Sequence, residues 1–211
     1  MATMDKGNTV TLAGMTRPCP CHVCAFFSSK EQEYEVMLPF LAEGFHQGDK
    51  LLIIIDKNDR SERLGRLQQV GIDVDRAEES GQLELRPFEQ AHLSTGRFDR
   101  EAMLEMLDRD AMANKGRYRI NRCWSTQNWA LEDNVPVEEI LEYEARFNYL
   151  WPNYDGVYVC VYDATKFSAA VMMQMLRTHP HFIIDGVMRE NPFYVPPEIL
   201  LHEIRNKDAD S

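Results

Sequence analysis

Three cysteines and one histidine lie close together near the start of the chain, in the sequence CPCHVC at positions 19–24. Thiolates and imidazoles are ligands that zinc and other thiophilic metals prefer, so the segment is a candidate metal site. The predicted metal ligands are Cys19, Cys21, His22 and Cys24. If the segment binds no metal, Cys24 is a core residue and the other two thiols have no role as ligands.

The segment enters an apolar run that predicts a strand, and alternate side chains of a strand share a face. His22, Cys24 and Phe26 are therefore expected on one face, and Cys21 on the other. Four ligands from one short segment are sterically awkward, so the fourth position could be taken by water, a small molecule or a distant histidine. The distant candidates are His179 and His181.

A second candidate site is the sequence RCWSTQNWAL at positions 122–131. Trp124 and Trp129 frame several hydrogen-bonding side chains, including Gln127, and this mixture is suited to lining a small-molecule pocket. The two tryptophans could equally be core anchors whose indole N–H groups need partners.

Acidic residues offer weaker signals. Glu142 and Arg146 are four apart on a predicted helix and would pair on its surface, whereas Glu144 shares another face with Asn148. Glu144 either lies on a solvated helix face or points into the protein, where it could act in the site. Asp56 directly follows a predicted strand, where it could hold a metal or orient a polar ligand, or cap a helix or form a turn.

Composition and missing motifs exclude several classes of function. A formal net charge of -11 argues against direct binding of nucleic acid, which depends on basic patches. There is no apolar stretch of about 20 residues to span a membrane. There is also no secretory signal, so we expect a cytoplasmic protein. Neither a phosphate-binding GxxxxGK[ST] loop nor a GxSxG elbow occurs, so an ATPase or a serine hydrolase is not expected.

Strand and helix patterns alternate along the chain, which predicts one three-layer α/β domain with a mostly parallel central sheet. We expect a flexible leader at 1–18, the domain at 19–204 and a flexible tail at 205–211. The predicted strands are 22–27, 50–55, 83–87, 120–129, 156–162 and 181–185. The predicted helices are 30–47, 59–71, 98–115, 137–151, 167–176 and 198–204.

The strand at 22–27 resembles the His-x-Cys-x-Phe-Tyr signature of the MEDS family, the methanogen/methylotroph sensory domain. The resemblance extends in order over about residues 20–201, through 129–131, 143–148, 161–163, 167–168, 177–180 and 191–198. It implies a RecA/KaiC-like fold without a working phosphate loop, and a sensory role for small hydrocarbon-derived or one-carbon compounds. This chain departs from the family at Phe27, where tyrosine is usual, and at Gln127 and Asn128, where an acidic residue and its neighbour are usual.

Together these observations predict a cytoplasmic small-molecule sensory domain that acts through a partner, such as a regulator or a histidine kinase, or through a homodimer. Zinc or another thiophilic metal is the predicted cofactor, if one is bound. One alternative is a metal- or thiol-dependent enzyme with Cys24 as nucleophile and His22 or His179 as base. Another is a scaffold protein that holds no ligand. The predicted ligand-binding residues are His22, Cys24, Phe26, Phe27, Trp124, Gln127, Trp129 and Glu144.

Overall fold

The computed structural model describes residues 8–209, and its first element is a hairpin. Strands β1 (Thr9–Leu12) and β2 (Met15–Pro18) pair antiparallel, and Val10 and Leu12 are buried in the core. This differs from the leader without regular structure that we expected at 1–18, since two apolar side chains tie the segment to the core. Positions 1–7 of the predicted leader lie outside the described residues.

A seven-stranded sheet forms the centre of the molecule, with the strand order β5-β4-β6-β7-β3-β8-β9. All neighbouring pairs are parallel except β8 and β9. This confirms the α/β class and the mostly parallel sheet. The strands are β3 (Cys21–Phe27), β4 (Lys50–Ile55), β5 (Leu83–Pro87), β6 (Asn121–Thr126), β7 (Gly156–Asp163), β8 (His181–Ile184) and β9 (Val187–Glu190).

Helices cover both faces of this sheet. Their bounds are α1 (Lys30–Gln47), α2 (Arg60–Gln69), α3 (Val74–Glu79), α4 (Arg100–Asn114), α5 (Trp129–Glu132), α6 (Val137–Leu150), α7 (Ala169–Thr178) and α8 (Pro197–Ala209). One apolar core lies under α1, α2 and α3, and a second lies under α4, α6, α7 and α8. Among residues 8–209, no helix is long and apolar enough to cross a bilayer.

The strand predicted at 120–129 is shorter in the structure. β6 ends at Thr126, and Gln127 begins a turn because its carbonyl accepts from the Ala130 N–H at 3.1 Å. Trp129 therefore begins α5 instead of lying in a strand. The chain also contains α3 and β9, which were not predicted, and α8 continues through Ala209 where a flexible tail was expected. Positions 210–211 of that tail lie outside the described residues.

The carboxyl edge of the sheet meets the start of α1, and this junction matters for the site. Ser29 caps α1 by accepting from the Gln32 N–H, and Gly48, with a φ of 79°, ends it in the left-handed conformation that glycine adopts without strain. No glycine occurs between β3 and α1. Ser28 and Ser29 therefore join β3 to α1, at the kind of junction where nucleotide-binding α/β folds have a glycine-rich phosphate loop.

Candidate functional site

Four ligating side chains converge inside the second core, between the sheet and α6. His22 lies on β3, Cys160 on β7 and Glu144 on α6, and His179 directly follows α7. Their potential ligand atoms all lie within 4.8 Å of one another. The two histidines and Glu144 are fully buried, and Cys160 is 7% exposed. We call these four residues the buried cluster.

Glu144 lies at the centre of the buried cluster. Its Oε2 is 3.4 Å from His22 Nε2 and 3.6 Å from His179 Nε2. The Cys160 Sγ lies 3.5 Å from His22 Nε2 and 3.9 Å from Glu144 Oε2. The other carboxylate oxygen, Oε1, accepts a hydrogen bond from the Tyr162 hydroxyl at 3.0 Å.

Asn148 determines which nitrogen of His22 carries the proton. Its amide N–H groups donate to the carbonyls of Glu144 and Thr178, at 3.0 and 2.7 Å. Its Oδ1 accepts from the Trp151 indole and therefore also accepts from His22 Nδ1, at 3.3 Å. His22 is thus protonated on Nδ1, and its Nε2 presents a bare electron pair to the buried cluster.

His179 is fixed in the same tautomer by the backbone. Its Nδ1 donates to the carbonyl oxygen of Met175 at 2.8 Å, an atom that can only accept. Its Nε2 has no hydrogen-bond partner among the described residues although the side chain is fully buried. Two imidazoles therefore point unprotonated nitrogens at one carboxylate and one thiol.

Burial disfavours the charged form of each group in the buried cluster. It lowers the pKa of His22 and of His179 to about 3, and it raises the pKa of Glu144. Burial, and next the nearby Glu144, raise the pKa of the Cys160 thiol well above its usual range. The arrangement offers four electron-pair donors and only the weak S–H or carboxyl proton to receive them. Chemically, it can hold a metal ion or store a proton.

Only His22 of the predicted metal ligands belongs to the buried cluster. Cys24 and Phe26 lie in the same core as predicted, whereas Cys21 packs into the opposite core and the half-buried Cys19 packs against that same opposite core. The structure therefore does not bring Cys19, Cys21, His22 and Cys24 together. The strand alternation that was predicted from the sequence is the physical reason.

Cys24 has the environment of a structural thiol. It is fully buried, and its S–H donates to the His181 carbonyl oxygen at 3.7 Å. Burial, followed by the charge of Glu144, raises its pKa well above the usual range. A cysteine nucleophile needs a lowered pKa and access to substrate, so these surroundings disfavour the enzyme alternative.

The predicted ligand-binding residues fall into three places. His22, Cys24, Phe26 and Glu144 lie at or beside the buried cluster. Phe27 and Trp124 stack at 6.2 Å on the α1 side of the sheet, where the Trp124 indole donates to Glu33. Gln127 accepts from the Trp129 indole at 2.8 Å, and Trp129 stacks on His92 at 4.3 Å. The sheet separates Trp124 from His22, so these two residues do not share a pocket wall.

A crevice of about 380 Å³ opens at the carboxyl ends of β3, β4, β6 and β7. This edge is where open parallel sheets bind ligands. By contrast, the void that borders Cys160 has a volume of about 20 Å³. The crevice is lined by Phe27, Ser29, Lys30, Glu33, Asp56, Asp59, Arg63, Thr126, Asn128, Leu131, Glu132, Val161, Asp163 and Lys166.

The crevice has more carboxylates than cations. Its three cations are paired already, Lys30 with Asp59 at 2.7 Å, Arg63 with Glu33 at 2.5 Å and Lys166 with Asp163 at 3.4 Å. Two further carboxylates, those of Asp56 and Glu132, form no ion pair within residues 8–206. Burial, and then the charges of Asp56 and Glu89, raise the pKa of Glu132.

The sequence analysis did not identify Cys160 as a candidate ligand. Its position depends on the register of β3 and β7, which sets Cys24 opposite Cys160 and His22 opposite Tyr158. The sequence signal that could have identified Cys160 is its spacing from Tyr162. The two residues are two positions apart and so lie on one strand face. His179 had been considered as a distant ligand, and the structure brings it to His22 with ring centroids 4.1 Å apart.

Comparison with known proteins shows a family and a relative. The family model described as MEDS: MEthanogen/methylotroph, DcmR Sensory domain matches residues 21–180. The transcriptional repressor DcmR of Methylorubrum extorquens is 25% identical over 171 residues, which are 80% of this chain and 61% of that protein. The chain therefore matches about three fifths of the relative's length.

Proposed function

Because this chain belongs to the MEDS family of sensory domains, we propose that it binds a small molecule and reports that binding to a regulator. The observation on which this rests is the crevice at the carboxyl edge of the sheet. Its volume of about 380 Å³ lies within the 300–1,000 Å³ typical of ligand pockets. The RecA/KaiC-like fold and a cytoplasmic location belong to this proposal.

Volume favours the crevice over the void beside Cys160 as the place where a ligand binds. The void of about 20 Å³ beside Cys160 has room for about one water molecule. A compound of several heavy atoms therefore fits the crevice and not this void. Of the predicted ligand residues, Phe27 lines the crevice directly and Trp124 supports it from behind. Contacts of a ligand with His22, Cys24, Phe26, Gln127, Trp129 or Glu144 stay predictions.

The charge of the crevice selects the class of ligand. Every lining cation is paired, and Asp56 and Glu132 form no ion pair within residues 8–206, although Asp56 accepts hydrogen bonds from Asn58 at 2.9 and 3.0 Å. An anion such as a nucleotide would meet net negative charge without a phosphate-binding loop. We infer a small neutral or cationic compound, which in the one-carbon range includes methylammonium and methanol.

Signal transmission is assigned to a second protein or to a second copy of the chain. The relative is a transcriptional repressor, and part of its length has no counterpart in this chain. The net charge of -11 disfavours nucleic-acid binding by this chain, which supports assigning any such binding to a partner, such as a regulator. Ligand binding would act by changing the populations of two conformations that the partner distinguishes.

Calorimetric titration of the full chain with methylammonium, methanol, formate and ATP tests the proposal. Methylammonium or methanol should bind, and Glu132→Gln should weaken methylammonium binding because it removes an unpaired carboxylate of the crevice. Glu138→Gln, which alters an exposed carboxylate at the start of α6, is the matched control and should not change the affinity. Binding of formate or ATP in preference to both, or no binding of any probe, would contradict the proposal.

A further inference from the structure

We propose that His22, Glu144, Cys160 and His179 form a four-ligand site for a divalent metal ion of the zinc class. This inference goes beyond ligand sensing in the crevice and does not depend on it. The first argument is the unbalanced hydrogen bonding of the buried cluster. Both imidazoles present bare Nε2 atoms, and His179 Nε2 has no partner among the described residues. A buried electron pair without a donor is costly, and a metal ion would satisfy it.

The second argument is geometric. Zinc binds nitrogen and oxygen at about 2.0–2.1 Å and sulfur at about 2.3 Å, so the edges of its coordination tetrahedron measure roughly 3.3–3.6 Å. Glu144 Oε2 lies 3.4 and 3.6 Å from the two Nε2 atoms, and the Cys160 Sγ lies 3.5 Å from His22 Nε2. The remaining measured edge, from the Cys160 Sγ to Glu144 Oε2, is 3.9 Å. Three of these four edges match those of a tetrahedral ion, the fourth is about 0.3 Å longer, and all four donor atoms lie within 4.8 Å of one another.

The third argument is charge. A divalent ion with one carboxylate, one thiolate and two neutral imidazoles forms a neutral unit, which a buried apolar site tolerates. On binding, the Cys160 S–H bond breaks, the sulfur bonds to the metal and the proton leaves to solvent. Glu144 loses its proton in the same way where it is protonated.

The fourth argument is that hydrogen bonds from surrounding residues orient the ligands for metal binding. In metal-binding histidines, the N–H of the second ring nitrogen usually donates a hydrogen bond to a fixed acceptor. Here Asn148 Oδ1 accepts that bond from His22, and the Met175 carbonyl oxygen accepts it from His179. The Tyr162 hydroxyl occupies Glu144 Oε1, which leaves Oε2 as the ligand atom. With Asn148 and Met175 fixing the rings, both imidazoles are oriented before any ion arrives.

The site is fully enclosed, so the test loads it during folding. The full chain is unfolded under reducing conditions with a chelator, refolded with zinc chloride and desalted. Zinc is then counted by native mass spectrometry. We expect one zinc ion per chain. Cys160→Ser should lower the affinity by more than the roughly 10–100-fold that loss of an outer hydrogen bond costs.

Cys24→Ser is the matched control, because it alters a fully buried thiol of the same core that lies outside the ligand set. It should keep its zinc. Near-ultraviolet circular dichroism in chelator establishes that both variants fold. If Cys160→Ser does not fold, refolding of the unaltered chain with Co²⁺ replaces it, and a thiolate-to-cobalt charge-transfer band is expected. No zinc in the unaltered chain, full affinity in Cys160→Ser, loss of zinc in Cys24→Ser or a cobalt spectrum without that band would each overturn the proposal.

Discussion

Asn148 shows how one residue outside the ligand set prepares the buried cluster. Its amide nitrogen donates to two backbone carbonyls, which fixes the amide so that its oxygen faces His22. Because that oxygen can only accept, the His22 nitrogen that faces it carries the proton. The consequence is a bare Nε2 on the opposite side of the ring. A single amide side chain thereby decides what His22 can bind.

His92 offers a test of how buried histidines set the response to pH. It is buried and stacks on Trp129, and burial lowers its pKa from 6.5 to about 3. Between those values the unfolded chain binds a proton that the folded chain does not, so stability is lost as the pH falls below about 6.5. His92→Phe keeps the stack and should reduce the loss of unfolding free energy between pH 8 and pH 5 by about 2 kcal/mol.

Urea unfolding at the two pH values, in chelator, measures this difference. His202→Phe is the control because it replaces an exposed histidine, on α8, by the same residue. If His92→Phe and the unaltered chain lose the same unfolding free energy between pH 8 and pH 5, His92 is protonated as readily in the folded chain as in the unfolded chain.

At the scale of elements, α1 is held against the sheet by a buried arginine. Arg122 of β6 is fully buried, and its guanidinium contacts Asp49 at 2.7 Å and Glu43 at 2.9 Å. A Cβ on Gly44 would lie 2.5 Å from Arg122 Cδ and Nε. Gly44 is therefore required by a close approach and not by backbone conformation.

Two glycine-to-alanine substitutions separate these causes. Gly44→Ala should destabilise the chain by about 1–3 kcal/mol, because the ion pairs prevent Arg122 from moving away. Gly65→Ala, inside α2 with nothing within 4 Å of the added Cβ, should stabilise it by about 0.5–1 kcal/mol. Chemical denaturation measures both, and equal effects of the two substitutions would refute the role given to Arg122.

The elements that could be predicted are those with strong local patterns. The bounds of α1, β4 and β5 are the predicted ones, because helical periodicity, a continuous apolar run and flanking turn residues agree there. The hairpin of β1 and β2 was missed because its buried apolar residues, Val10 and Leu12, are stabilised by contacts with the distant core. The short α5 was missed because a turn at Gln127 decides where β6 ends.

The candidate site was predictable only in part, for a related reason. His22 and Glu144 were visible as polar residues in apolar elements. Cys160 and His179 join them through the pairing of β3 with β7 and of β3 with β8, whose registers depend on the packing of crossover helices. A residue pattern along one strand cannot supply contacts between side chains more than 100 positions apart.

At the scale of the whole molecule, the buried cluster and the crevice lie along the same two strands. β3 places His22 in the buried cluster and Phe27 in the crevice, and β7 places Cys160 and Asp163 in the same two sites. A metal ion in the buried cluster would join these strands to α6 and to the residue after α7. The ion would thus fix the elements on which the crevice is built.

X-ray absorption spectroscopy of the zinc-loaded chain tests the central claim most directly, because it counts the sulfur ligands. We predict one sulfur at about 2.3 Å with three nitrogen or oxygen ligands at about 2.0–2.1 Å. Those are Cys160 with His22, Glu144 and His179. Two or three sulfur ligands would indicate Cys19, Cys21 and Cys24 instead, and a shell without sulfur would exclude Cys160. Either result would contradict the site described for this sensory domain.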